Sequence, residues 1–323
     1  MYWIAFLVPF IMVIAGLILS VARRRAVAAI TVGAEVRGAA ELGRRRSSRR
    51  LRLSLLLVPT VAGVIVAGII AAYGPADGVG GPLGRTTILM ITPLLAAIIT
   101  VLGLAFVPRY VETTSRRSAD AVPRSPLTFS SRAALIALLT LAILLVAATV
   151  VFGVLAWPHG ESLFYFYGDS YAGGGGEFPG FGFGVPMLVN LALLVAALWL
   201  SLSRIAGTPR PTDEGLRAAD TAVRTVTATA ATAMASFAVA LSLGIVLLMA
   251  SIAFWDVAGG NQVDAGGNPV PVNATAQLLS MLSHAGVGLG VGMLIVAIYF
   301  LVHAVSCATG SAYRVTTSEA VNA

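Results

Sequence analysis

Residues 44–73 read RRRSSRRLRLSLLLVPTVAGVIVAGIIAAY, a block of arginines giving way to an apolar run with no acidic residue in either part. A hydrocarbon core of about 30 Å is crossed by about 20 mostly apolar residues as helix, so this stretch predicts a membrane span with a basic flank. The same apolar length recurs along the chain. Seven predicted spans cover about 2–21, 53–73, 87–108, 133–157, 185–205, 227–255 and 277–305. A chain that is 58% hydrophobic and 11% charged, with a mean hydropathy of +0.90, does not fit a soluble domain. Its apolar runs are continuous rather than short and alternating, which selects helices over a membrane barrel. The expected fold class is therefore all-α: a polytopic membrane helix bundle of seven transmembrane helices, forming a single integral membrane domain over 1–323.

The flanks set the expected orientation. All 21 basic residues are arginine, and they crowd alternate gaps. Arg23, Arg24, Arg25, Arg37, Arg44, Arg45, Arg46, Arg49, Arg50 and Arg52 fill the first gap. Arg109, Arg116, Arg117, Arg124 and Arg132 fill the third, Arg204, Arg210, Arg217 and Arg224 the fifth, and Arg314 lies in the C-terminal tail. Only Arg85 falls in the other set. Basic residues of short loops stay cytoplasmic, so the N-terminus is expected outside and the C-terminus cytoplasmic. Trp3, Tyr73, Trp157 and Trp255 then lie at outer ends, where interfacial aromatics belong. The first run is not read as a secretion signal, because its positive residues follow the apolar stretch instead of preceding it.

Net charge +7 is accounted for by this topology, and no nucleic acid partner is expected. Segment 22–52 is read as a cytoplasmic arginine-rich loop with a surface helix. Within it, Arg44, Arg45, Arg46, Arg49 and Arg50 serve topology alone or also contact anionic lipid headgroups or a membrane-protein partner. One cysteine, Cys307, excludes an internal disulfide and a cysteine metal cluster; no metal site and no cofactor is expected. Arginine without lysine, together with abundant alanine, valine and glycine, points to a GC-rich bacterial genome and hence to a bacterial plasma membrane.

Several chemistries are excluded by residue type. A retinal Schiff base needs a lysine, and there is none. No H-E-x-x-H or G-x-S-x-G is present, no catalytic residue is assigned, and no acid lies mid-span as in ion-coupled transporters. Gly78–Thr87 superficially resembles a phosphate loop but lacks its first glycine and its lysine. Gly286/Gly290 and Gly288/Gly292 are small-xxx-small pairs that allow close helix contact. Thr212, Asp213 and Glu214 predict a helix start that runs on into the sixth span.

Two features remain for function. The loop 158–184, expected to be extracellular, combines Phe164-Tyr165-Phe166-Tyr167 with Gly173–Gly176, and is read as flexible, either resting at the interface or capping a cavity. His284, the only ionisable side chain well inside a span, shares its expected depth with Asn190, Thr92 and Thr149. These four either line a polar outer-leaflet cavity, or His284 makes a single interhelical hydrogen bond.

Thr31-Val32-Gly33-Ala34-Glu35-Val36-Arg37, the arginine run to Arg52, and Gly74-Pro75-Ala76-Asp77-Gly78 together resemble the SdpI-like bacterial membrane proteins over roughly the first 108 residues. The histidine usual at that family's outer turn is missing here. The resemblance implies a non-enzymatic membrane protein of immunity or signalling type, with no catalytic residues to transfer. The expected function is a non-catalytic binding, immunity or regulatory component. The alternative is a small-solute transporter or channel subunit using the layer around His284.

Overall fold

The sequence from residue 227, TATAATAMASFAVALS, forms the axis of the bundle. In the computed structural model, which describes residues 53–63, 65, 85–106, 125–156, 162–167, 170–208, 214–259 and 274–308, every residue from Val226 to Leu243 is buried except the half-buried Thr229. Small side chains allow neighbouring helices to approach from all sides. Such close packing substitutes for the hydrophobic effect, which gives no drive to helix association in lipid.

Among the described residues the elements are helix α1 (Leu53–Gly63), α2 (Arg85–Ala105), a 3-10 turn (Pro126–Phe129) and α3 (Arg132–Leu155), followed by strands β1 (Ser162–Tyr167) and β2 (Ser170–Glu177), then α4 (Phe181–Gly207), α5 (Glu214–Gly259) and α6 (Ala274–Ala308). Helices α2 to α6 are each long and apolar enough to cross a membrane. They coincide with the last five predicted spans. Of the 53–73 span, Leu53–Gly63 is helical. The first span at 2–21, the loop 22–52 with its arginines, and the turn 74–78 lie outside the described residues.

Helix α5 is the central element. At 46 residues and 1.5 Å per residue it extends about 69 Å, well over a bilayer core of about 30 Å. It starts at Glu214 and runs unbroken into the apolar part, as expected. In its most apolar stretch 72% of residues are buried, against 17% in α3 and 22% in α6. Those two are therefore peripheral, and α6 makes the most extensive packing with α5. α2, α3 and α4 also lie against it.

Contacts at each end show that successive helices alternate in direction. At one end, the Arg204 guanidinium lies 4.2 Å from the centre of the Phe106 ring. At the same end Arg224 bonds to the last carbonyls of α4, and the Ser130 and Thr232 hydroxyls meet at 3.4 Å. At the other end Phe152, Phe178 and Phe254 cluster. α1 runs antiparallel to α2, because Leu55 fills the space beside Gly103 while Thr92 fills that beside Gly63. The two ends are called here the arginine end and the hairpin end.

The glycine pairs divide. A Cβ on Gly290 would lie 2.7 Å from Leu248 Cγ and one on Gly244 3.1 Å from the Gly290 carbonyl, so α5 and α6 touch almost backbone to backbone. Gly286 meets Ser251 in the same seam. Gly288 and Gly292 have nothing within 4 Å. That pair occupies the opposite face of α6, a consequence of the 3.6-residue period, so the spacing that suggested packing for both pairs serves it in only one.

Candidate functional site at the hairpin end

Between α3 and α4 the chain forms a β-hairpin, where a flexible loop was expected. Phe164 stands opposite Gly173, Tyr165 opposite Ala172, Phe166 opposite Tyr171 and Tyr167 opposite Ser170, in antiparallel register. Aromatic residues favour strands, and the two residues between Tyr167 and Ser170 are Gly168-Asp169, a pair suited to a two-residue hairpin turn. That turn signal in the sequence is what a reading of the loop by composition overlooks. Toward its base the register slips, with Ser162 opposite Glu177. The extra residues fall among the glycines of β2, which accommodate irregular strand backbone.

One side chain anchors the hairpin to the bundle. Phe178, directly after β2, is fully buried. Its ring centre lies 5.6 Å from Phe152 of α3 and 5.6 Å from Phe254 of α5, while Phe152 and Phe254 are 6.3 Å apart at 71°. Edge-on and tilted pairs of this kind add about 0.5–1.5 kcal/mol each beyond burial. Ala156, Ala250, Ala253 and Val257 complete the cluster. The strands make their principal contacts with α5, mainly through β2.

The four polar residues expected to share a layer are each satisfied on their own helix. Thr92 donates to Ile88 O at 2.6 Å, Thr149 to Leu145 O at 2.8 Å, and Asn190 Nδ2 to Pro186 O at 2.8 Å. His284 Nδ1 lies 2.7 Å from Ser280 O, which requires that this nitrogen carry the hydrogen. None bonds another of the four. Thr149 is fully buried and packs against Gly184 of α4, Asn190 is buried, and Thr92 is half-buried beside Gly63 of α1. His284 is exposed on α6, edge-on to Trp255 with ring centres 5.3 Å apart. The interhelical bond beside it belongs instead to Ser283, which donates to Ser251 O at 2.8 Å.

Other polar groups were not distinguished by sequence. Arg224 is fully buried. Its Nη1 donates to Ile205 O and Thr208 O, each at 2.8 Å, and its guanidinium lies 5.8 Å from the Phe129 ring centre. A cation at a helix C-terminus satisfies orphan carbonyls and opposes the negative end of the dipole. In the sequence it looks like one more topology-setting arginine. Thr87, Thr100, Ser201 and Ser242 bury hydroxyls that make no hydrogen bond within the described residues, and no sequence signal separates them from the hydroxyls bonded to their own helices. No group of three His, Cys, Asp or Glu side chains suited to a metal occurs among the described residues.

The outward faces of the helices define the class. Ile136, Ile143, Val150 and Val154 on α3, Val189, Leu193 and Leu200 on α4, and Met281, Leu289 and Ile295 on α6 are all exposed. A soluble monomer rarely presents an apolar patch beyond a few hundred Å², whereas lipid covers such a surface at no cost. This is a helical membrane protein. Comparison with known protein families, curated proteins and solved structures returns no match.

Proposed function

We propose that the chain is a non-catalytic binding, immunity or regulatory protein of the bacterial plasma membrane, acting through its hairpin end. The observation that carries this reading is the filled axis. A protein that conducts solute through its middle needs a polar route there, and this bundle places alanines of α5 in that position. Arg132, Arg204 and Arg224 belong to one end and Arg85 to the other, a distribution that supports a cytoplasmic arginine end and an outer hairpin. Applied to the seven apolar runs, the same rule puts the N-terminus outside and the C-terminus inside. The resemblance of roughly the first 108 residues to the SdpI-like proteins supports an immunity or signalling role. Arg44, Arg45, Arg46, Arg49 and Arg50 would add headgroup contact at about 1 kcal/mol each.

A transporter or channel subunit is the second reading. Its support is the set of buried hydroxyls without hydrogen-bond partners among the described residues, Thr87, Thr100, Ser201 and Ser242, together with Asn190 and His284. Reconstitution into proteoliposomes separates the two, with glycerol, urea, potassium and chloride as probes. The binding reading expects flux no greater than in empty liposomes. Flux that is present in the natural protein and lost in both Asn190→Ala and His284→Ala would establish transport instead.

A further inference from the structure

We draw no further inference here: the strongest candidate, the outward face of α6 around His284, Gly288 and Gly292, is an apolar helix face with a pair of small residues at its centre, and nothing in the structure shows what covers it.

Discussion

Arg224 and His284 exchange the roles that the sequence suggests. The arginine sits among others that set topology, yet it is buried and ties α5 to the C-terminus of α4. Arg224→Met keeps most of the aliphatic bulk and leaves the Ile205 and Thr208 carbonyls without this donor. The expected loss is about 2–3 kcal/mol, measured as a lowered Tm in detergent. Arg224→Lys should recover part of it, and a Tm unchanged in the Met variant would refute the tie. The histidine is exposed and, among the described residues, bonds the preceding turn of its own helix. His284→Ala should therefore lower stability by less than about 1 kcal/mol; a larger loss would mean that it has an interhelical partner. Periodicity assigns a residue an expected depth but does not fix whether its side chain faces a neighbour or the lipid, which is why the depth expected for Thr92, Thr149, Asn190 and His284 did not foretell their contacts.

Elements were more legible than their faces. Apolar length alone located α2 to α6, because the bilayer imposes a minimum length on any helix that crosses it. The pairing of helices depends on which face carries the small residues, and Gly286/Gly290 and Gly288/Gly292 have identical spacing. Substitution distinguishes them. Gly290→Ala drives a methyl into Leu248 and should cost about 1–3 kcal/mol. Gly288→Ala meets open space and should leave stability unchanged or raise it by up to about 1 kcal/mol. Equal effects in thermal unfolding would contradict the seam between α5 and α6. The hairpin was illegible by composition because four consecutive glycines suggest flexibility, whereas the aromatic run 164–167 carries the strand signal. Phe178 fastens it. Phe178→Ala should lower stability by about 3–5 kcal/mol and expose the 158–184 segment to protease at a temperature where the natural chain resists cleavage. Unchanged cleavage would show that the anchor lies elsewhere.

For the molecule as a whole, composition identified the membrane and arginine placement suggested the sidedness, while the central position of α5 was not readable. Its apolar stretch is about as hydropathic as those of its neighbours, so hydropathy does not single it out; small side chains are what a helix needs when four others pack against it. The function depends on which end faces out. Single cysteines at Ser170 in β2 and at Ser125 beside the 3-10 turn, with Cys307 replaced by alanine, report this directly through a membrane-impermeant maleimide. Cysteine at 170 is expected to label in intact cells and cysteine at 125 only after permeabilisation. The reverse pattern would place the hairpin in the cytoplasm and contradict the proposed outer binding end.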